Sequence, residues 1–429
     1  MKKSYYNFIF SKGQGKSILY NSRTGAMAEL DKEHTEQFLA LAMTELEQEN
    51  PEFAEALLQN GFAVEDEVSE LDMIRYDMLR ARFGNQSLAV TLAPTQDCNF
   101  GCRYCYEKDV LRPQYMEEAT QDAVVDYIEE NLTMGSSLRL SWYGGEPLLA
   151  LGIMESLTKK FLMICEEKKA EYKADIITNG YLLTAEAVKR LLACRITKFQ
   201  ITLDGNESTH DLRRPLADGS PTYRTIWENI LALKDFRESI KVALRVNVDK
   251  NNKKALFFVK HKIAEEGMED FVFVYPGRVM ETETCHNSGE CYSSREFAIL
   301  EQEFSCSDLE LLRNYYPHPR QTVCSAENGK SVVFDANGNM YKCILDIGRE
   351  ERSFGNVKED GVCHEQVLHQ YLLLDITAKE ECAKCKHLPI CMGGCPYIRL
   401  EGKNSCTGLR YTLDAYMQYL PQSVRQQEV

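Results

Sequence analysis

The sequence predicts an α/β protein whose centre is an open, partial (β/α)6 barrel of the TIM type. Strand-like segments alternate with helical segments, which indicates βαβ units and a parallel sheet. The six strand-like segments are fewer than the eight strands that close a full barrel. A small strand-and-helix module precedes this barrel, and a cysteine-rich region follows it. The strand-like segments are residues 87–94, 138–143, 174–178, 198–204, 241–248 and 271–276.

The first predicted domain, residues 1–85, begins with short strands and continues with helices, another short strand and a linker that becomes a helix. Asp31 is placed to cap the first helix. Apolar residues at helical spacing give the helices a common buried face: Leu30, Phe38, Leu41, Leu46, Phe53, Leu57 and Leu58. The module resembles a winged helix, either a docking domain for a peptide or a simple N-terminal cap. DNA binding is disfavoured, because residues 1–64 carry six Lys or Arg against nine Asp or Glu.

The second predicted domain, residues 86–280, is the barrel, and residues 281–429 form the third. In the barrel, the helical segment 116–132 carries Ala119, Ala123, Tyr127 and Leu132 on one predicted face. Functional residues of such a barrel belong at the C-terminal ends of its strands. The polar motifs of this domain are therefore examined strand by strand below.

Composition limits the location and partners of the chain. The net charge of −15 argues against nucleic acid and against an anionic membrane, since both select basic surfaces. The sequence has no apolar run of about 18 residues, and its N-terminal apolar patch is too short for a signal peptide. A cytoplasmic protein without a membrane span is expected. Disulfides are rare in the cytoplasm, so the 16 cysteines indicate metal ligation or redox chemistry.

Three cysteines, Cys98, Cys102 and Cys105, follow the first barrel strand in a C-x3-C-x2-C pattern. Thiolates bind zinc and iron–sulfur clusters, and a [4Fe–4S] cluster normally takes four of them. Three ligands would leave one iron open for a substrate or cofactor. The alternative is a zinc site that borrows a distant fourth cysteine.

Short polar motifs follow the next strands in order. The second strand ends at Gly144, Gly145 and Glu146, and the third strand ends at Thr178 and Asn179. The fourth strand ends at Thr202 and Asp204, and Arg214 follows it. In the fifth strand, Arg245 and Asn247 lie on one side. With Tyr104 before the last clustered cysteine, this set resembles the radical S-adenosylmethionine (SAM) superfamily. The resemblance implies that the SAM amino and carboxylate groups chelate the open iron and that SAM is cleaved to a 5′-deoxyadenosyl radical. It also implies that Glu146 meets the SAM amino group and that the other motif residues bind SAM.

The C-terminal region contains a second cysteine pattern. An Asn337-Gly338 turn between two strand-like runs predicts a hairpin flanked by Cys324 and Cys343. Further cysteines follow at 382, 385, 391, 395 and 406, with Gly393 and Gly394 placed to turn backbone N–H groups towards a cluster. This spacing resembles the seven-cysteine SPASM extension of radical SAM enzymes.

The SPASM resemblance implies two auxiliary [4Fe–4S] clusters, and hence three clusters in all. It places Cys324, Cys343 and Cys395 on auxiliary cluster I. The motif thus gives cluster I three ligands. Its fourth position is either open or filled by Cys285, Cys291 or Cys306. It also implies an external electron donor such as flavodoxin or ferredoxin. Auxiliary cluster II takes Cys382, Cys385, Cys391 and Cys406.

Two branches of this family compete for the function. Enzymes that mature anaerobic sulfatases begin their cluster motif near the N-terminus and place an Asp directly after the second hairpin cysteine. Here 97 residues precede the motif, Ile344 follows Cys343, and Asp346 comes two positions late. The sequence therefore favours a maturase of ribosomally made peptides, similar to thioether-forming sactipeptide and ranthipeptide synthases. Its partner would be a precursor peptide whose leader adds a strand to the edge of the N-terminal sheet.

Other functions stay open from the sequence. A carbon–carbon cross-linking maturase and a formylglycine-forming enzyme are the enzymatic alternatives. A metal-binding winged-helix regulator is the non-enzymatic one, but the strand-end motifs would have no role in it.

Overall fold

The computed structural model describes residues 1–84, 87–280, 289–306, 315–359 and 361–419. Its strands are β1 (Lys2–Lys3), β2 (Asn7–Gly13), β3 (Lys16–Asn21), β4 (Met27–Leu30), β5 (Ala63–Val64), β6 (Ser87–Leu92), β7 (Ser137–Trp142), β8 (Glu171–Thr178), β9 (Ile196–Thr202), β10 (Lys241–Val248), β11 (Val272–Arg278), β12 (Ser331–Phe334), β13 (Asn339–Tyr341), β14 (Gly355–Asn356) and β15 (Gly361–Val362).

Helices alternate with the barrel strands and surround the smaller sheets. The α-helices are Lys32–Ala40, Met43–Glu49, Pro51–Gln59, Glu70–Phe83, Glu118–Asn131, Leu151–Glu167, Ala185–Ala193, Glu207–Arg213, Tyr223–Ala232, Lys253–Glu265, Ser294–Ser305, Glu365–Leu372, Glu380–Ala383, Leu388–Cys391, Pro396–Leu400 and Leu409–Tyr419. Short 3-10 turns lie at Pro147–Ala150, Leu233–Phe236, Ser325–Glu327, Ile344–Asp346, Glu350–Arg352 and Ile376–Ala378. Among the described residues, no helix is both long and apolar enough to cross a bilayer.

The six predicted barrel strands form β6 to β11, which lie side by side in chain order. Every neighbouring pair among them is parallel. Parallel order and short helical crossovers bring all six C-terminal strand ends to one edge of the sheet. The predicted α/β class with an open, partial barrel is confirmed.

The chain packs into two compact units that cut across the three predicted domains. One unit contains residues 1–82, 293–324 and 373–429. The other contains residues 83–292 and 325–372. The predicted boundaries at 85/86 and 280/281 stay predictions.

The unit that contains the N-terminus is built on an antiparallel sheet of β2, β3 and β4. Asp31 caps the helix Lys32–Ala40 by accepting a hydrogen bond from the His34 N–H, as predicted. The predicted apolar face is also confirmed, because its residues join one hydrophobic cluster with Leu19, Ala54, Phe62 and Ala63.

A second cluster in the same unit joins distant parts of the chain. Its N-terminal members are Phe10, Ile18, Tyr20 and Met27, and its other members are Tyr316, Ile390, Leu413, Tyr416 and Met417. The Tyr20 hydroxyl also donates to the Pro317 carbonyl. The N-terminal module therefore shares its core with the C-terminal helix Leu409–Tyr419, which sequence periodicity did not predict.

In the barrel unit, the predicted hairpin is present as β12 and β13, and Gly338 adopts φ +87° in its turn. β12 also pairs in parallel with β6, and the sheet continues through β13, β14 and β15 to ten strands. The hairpin thus extends the barrel sheet at its first strand. On the predicted face of the helix Glu118–Asn131, Leu132 is buried as predicted. Ala119, Ala123 and Tyr127 were each off by one position, because Thr120, Val124 and Ile128 are the buried residues of the helix.

Candidate functional site

The loop with the three predicted cluster cysteines begins directly after β6. Its backbone is anchored by Gly101 N–H to Pro215 O at 2.9 Å and by Ala217 N–H to Asn99 O at 2.9 Å. Cys98, Cys102 and Cys105 are each partly buried. Burial raises the pKa of all three thiols, that of Cys105 to about 12. Without metal these thiols are protonated, and binding of iron would release their protons.

The two predicted glycines allow a second loop to lie against the cysteine loop. Gly145 N–H donates to Thr95 O at 3.3 Å, and Glu146 N–H donates to Asp97 O at 2.8 Å. A Cβ atom on Gly145 would lie 2.1 Å from Asp97 O, and one on Gly144 would lie 2.5 Å from Thr95 O. Only glycine permits this approach, which fixes Glu146 beside the cluster loop.

Glu146 is fully buried and joins two strand-end motifs. Its carboxylate accepts hydrogen bonds from Leu148 N–H at 3.0 Å, the Thr178 hydroxyl at 2.7 Å and Asn179 N–H at 2.7 Å. Burial raises its pKa, and these three hydrogen bonds oppose that shift. A carboxylate has about four acceptor positions, so one position remains for an outside donor such as an ammonium group.

A buried polar network centred on the Tyr104 hydroxyl joins the motifs of β9 and β10. This hydroxyl donates to Asp204 at 2.5 Å and accepts from Arg214 at 2.9 Å and from Asn247 at 3.0 Å. Arg245 donates to Asn247 at 2.8 Å, so these two residues share one side of β10 as predicted. The structure therefore brings four predicted site residues together around the aromatic residue of the cysteine loop.

The surroundings of Arg214 and of Cys102 indicate whether a charged cofactor fits here. The buried Arg214 guanidinium keeps an Nε–H without a hydrogen-bond partner among the described residues. An anionic cluster or a carboxylate would supply the missing acceptor. Thr202, the last residue of β9, is also buried, but none of the hydrogen bonds above involves it. The donor set fits an anionic group beside Cys102. Burial raises the pKa of the Cys102 thiol, and the positive charge of Arg214 opposes this rise.

Sequence reasoning missed two residues near this loop, the partly buried Arg213 and the buried Glu107. Arg213 donates to Asp204 at 3.2 Å, pairs with Asp249 and lies over the Tyr104 ring. Glu107 is only 6% exposed, and its carboxyl has no hydrogen-bond partner among the described residues. Burial raises its pKa to about 8. For Glu107, its position two residues after Cys105 was the only signal in the sequence. For Arg213 there was none, because the sequence pattern assigned the neighbouring Arg214 to the motif instead.

Four cysteines assigned to auxiliary cluster II line one cavity of about 130 Å³ in the unit that contains the N-terminus. Arg410 donates to Cys385 Sγ at 3.6 Å, and Arg399 donates to Cys382 Sγ at 3.9 Å. Positive donors beside thiolates favour an anionic cluster. The lining cysteines are Cys382, Cys385, Cys391 and Cys406.

The two glycines beside this cavity differ in their hydrogen bonds, and their predicted role towards a cluster stays a prediction. The Gly393 N–H lowers the Cys391 thiol pKa, an effect smaller than the rise due to burial. The Gly394 N–H instead donates to Cys391 O at 3.0 Å. Gly394 is required for a different reason, because a Cβ atom there would lie 1.5 Å from Ser405 O.

The other predicted ligands are less clearly grouped. Cys324 and Cys395 belong to the unit that contains the N-terminus, whereas Cys343 belongs to the barrel unit, so their common cluster stays a prediction. Cys306 packs against the hydrophobic cluster around Tyr416, Cys291 is partly buried, and Cys285 lies outside the described residues.

All 15 described cysteines are without a disulfide. In the described part of the chain, no three His, Cys, Asp or Glu side chains converge closely enough to hold a single metal ion. A four-iron cluster is larger than one ion, so its thiol ligands stand farther apart. The spacing of these thiols is compatible with cluster ligands.

We expect Glu146→Gln to weaken SAM binding and leave the iron content unchanged. The substitution keeps the shape of the side chain but removes the charge that would meet the SAM ammonium group. Loss of such a hydrogen bond costs about 1.5–3 kcal/mol, or roughly 10- to 150-fold in the dissociation constant. Equilibrium binding of SAM to the iron-loaded protein measures the change. Asp175→Asn, in a partly buried carboxyl of β8, is the matched control, and equal affinities in both variants would make Glu146 purely structural.

Comparison with known proteins agrees with this geometry. A family model described as the radical SAM superfamily matches residues 92–253. The serine-type anaerobic sulfatase-maturating enzyme of Klebsiella pneumoniae is 26% identical over 350 residues, which span 73% of this chain and 83% of that protein. The cysteine-type enzyme of Clostridium perfringens is 21% identical over 372 residues, which span 77% of this chain and 95% of that protein.

Two solved structures share the fold. Native anSMEcpe with bound AdoMet and Cp18Cys peptide has a TM-score of 0.62 at 18% identity, covering 80% of this chain and 99% of that one. SuiB of Streptococcus suis bound to the precursor peptide SuiA has a TM-score of 0.52 at 16% identity, covering 95% of this chain and 98% of that one. The two structures show the shared fold, and the family-model match identifies residues 92–253 as a radical SAM domain.

Proposed function

We propose that the protein is a SPASM-type radical SAM enzyme that modifies a peptide, and that it joins a cysteine sulfur to a carbon of a ribosomally made precursor. The observation that carries the radical SAM part of the proposal is the polar network beside the three-cysteine loop. It places Tyr104, Asp204, Arg214 and Asn247 around a guanidinium N–H that lacks an acceptor. When bound there, a [4Fe–4S] cluster and SAM supply a radical that abstracts hydrogen.

The residues of this site would hold SAM from several sides. Cys98, Cys102 and Cys105 would ligate three irons, and Glu146 would accept from the SAM ammonium. Arg214 supplies a buried positive charge. Buried donors and acceptors of this kind fix orientation because they cannot exchange with water. The two auxiliary clusters and an external donor such as flavodoxin or ferredoxin complete the proposed redox equipment.

Peptide modification is supported by the relatives. SuiB, whose likeness extends over 95% of this chain, is described with its precursor peptide SuiA, and the sulfatase-maturating enzymes are named for a protein substrate. The sheet of β2, β3 and β4 offers two outer strands, β2 and β4, to which a leader peptide would add as a further strand.

The position after Cys343 supports thioether formation over formylglycine formation. Ile344 occupies it and packs against a hydrophobic cluster, so it provides no carboxylate for deprotonating a substrate. Asp346 is 1% exposed and accepts a hydrogen bond from the Tyr371 hydroxyl at 2.8 Å. Formylglycine formation is the second candidate, because the 26% identity to a sulfatase-maturating enzyme spans 73% of this chain.

Incubation of the iron-loaded enzyme with SAM, a reductant and a leader-bearing, cysteine-containing precursor peptide tests the proposal. Each thioether removes one hydrogen from the acceptor carbon and one from the thiol, so each link should lower the peptide mass by two hydrogens. The linked cysteine should then resist alkylation. Modified peptide in which every cysteine still alkylates would indicate a carbon–carbon link, and an aldehyde in place of a cysteine would indicate formylglycine. Mass spectrometry before and after alkylation separates these outcomes.

A further inference from the structure

A polar cavity of about 800 Å³ lies in the barrel unit beside the three-cysteine loop. One wall comes from residues 96–117 of that loop, and the other comes from the hairpin and the turn after it. Ligand-binding clefts usually measure about 300–1,000 Å³. The cavity is therefore large enough for several side chains of a bound peptide, and the SAM-binding residues discussed above do not line it.

Gln96 lies in the wall of this cavity, and its side-chain amide is available for hydrogen bonding. The residue is 5% exposed, and its backbone is engaged on both sides, by N–H to Gln114 O and by O from Arg112 N–H, each at 3.0 Å. Its side-chain amide has no hydrogen-bond partner among the described residues. Because Gln96 lines the cavity, a ligand there that offers both a donor and an acceptor can hydrogen-bond both ends of its amide. A peptide main-chain group offers both.

The polar groups of the opposite wall are hydrogen-bonded to one another. Asp335 is fully buried and accepts from Asn337 N–H and Asn339 N–H at 2.9 Å and from the Tyr341 hydroxyl at 3.0 Å. The Gln114 side chain donates to Asn337, which ties the hairpin to the cysteine loop. These groups shape the cavity and leave Gln96 as its unsatisfied hydrogen-bonding group within the described lining.

The mouth of the cavity is acidic. Glu117, Glu350 and Glu351 are exposed there, and none of them forms an ion pair with a described residue. Among the described lining residues, Arg112 is the only basic one, and its guanidinium already donates to Asp109 O at 3.1 Å and Leu111 O at 2.8 Å. A ligand that enters past three carboxylates gains from carrying positive charge.

We propose that this cavity is a subsite for the substrate peptide, in which Gln96 hydrogen-bonds a main-chain amide and the glutamates of the mouth select lysine or arginine side chains. The inference rests on the proposed peptide-modifying function and names a feature of its substrate. The cavity is bounded by the loop that carries Cys98, Cys102 and Cys105, so a peptide held there would lie beside the proposed cluster site.

Fluorescence anisotropy with two labelled peptides tests the subsite without turnover. One peptide contains glycine, serine, one cysteine and two lysines, and its partner has glutamines in place of the lysines. The wild type should bind the lysine peptide about fivefold more tightly. The double variant Glu350→Gln with Glu351→Gln should lose this preference, whereas Gln96→Leu should weaken both peptides about fivefold. Glu118→Gln, an exposed neighbour outside the lining, should behave as the wild type.

Equal binding of the two peptides by the wild type, or an unchanged preference in the double glutamine variant, would overturn the proposal. That double variant changes exposed residues, so the result does not depend on the folding of Gln96→Leu. The same peptides, each joined to the leader of the precursor and incubated with SAM and reductant, separate this inference from the function on which it rests. Lysine-dependent binding without modification of any peptide would count against the proposed function, and modification that ignores both variants would count against the subsite.

Discussion

Simultaneous replacement of Cys98, Cys102 and Cys105 by alanine should abolish reductive cleavage of SAM and remove about four of roughly twelve irons, four for each of three clusters. These thiols are the ligands expected for the cluster whose open iron binds SAM. The four cysteines of auxiliary cluster II line a cavity in the other compact unit, so their iron should remain. Iron analysis and the yield of 5′-deoxyadenosine under reducing conditions measure both effects.

The loss should be specific because the loop does not depend on its thiols for its conformation. Its backbone is held by Gly101 to Pro215, by Ala217 to Asn99 and by the two hydrogen bonds from the Gly145–Glu146 loop. The triple variant should therefore fold. Cys363→Ala, at an exposed cysteine of the same unit, is the control and should keep full activity. Cleavage of SAM by the triple variant at the wild-type rate would remove the assigned role of these cysteines.

The barrel could be predicted because its strands are short, apolar and separated by regular helical segments. Their order then followed from the rule that sequential parallel strands usually neighbour one another. The convergence of the motif residues was predictable for the same reason, since each motif follows a strand and all strand ends meet at one edge, whereas their role in binding SAM stays a prediction. The contact between Arg245 and Asn247 shows this directly, because two positions along β10 place them on one side.

The sequence pattern predicted neither the pairing of β12 with β6 nor which face of the helix Glu118–Asn131 is buried. Nothing in Ser331–Phe334 indicates that it pairs with Ser87–Leu92, since the register is set by tertiary packing more than 200 positions away. The helix Glu118–Asn131 carries alanines beside β-branched residues, and the larger Val124 and Ile128 occupy the core in place of the predicted Ala123 and Tyr127. Tyr127 still contacts Phe334 edge-on, so the predicted face borders the true one.

Glu107 and Gln96 were missed for a different reason. Neither residue has a hydrogen-bonding partner for its side chain in the described structure, and a side chain without a partner leaves no periodic or paired signal in the sequence. Their importance appears only when burial is known. Both lie in the loop around the cysteines, where a substrate or cofactor would supply the missing contacts.

Deletion of residues 1–82 should unfold much of the unit that they share with the C-terminal segment. The deletion removes Phe10, Ile18, Tyr20 and Met27 from a core completed by Tyr416 and its neighbours. Burial of each such side chain stabilises the fold by about 1.5–3 kcal/mol. The four together approach the whole stability of a typical domain, about 5–15 kcal/mol. Truncation therefore tests the stability of this unit and not leader binding alone.

The expected readout is a loss of iron from the auxiliary sites, with SAM cleavage retained. Iron should fall from roughly twelve towards about four per chain, because six of the seven SPASM cysteines belong to the damaged unit. SAM cleavage should survive, since Cys98, Cys102 and Cys105 belong to the barrel unit. Ile18→Ala should lower the thermal midpoint in the same direction, whereas Leu39→Ala, at a side chain 63% exposed, should leave it unchanged. A truncated protein that keeps its full iron content and midpoint would show that the shared core is dispensable, and the deletion would then become a direct test of leader recognition.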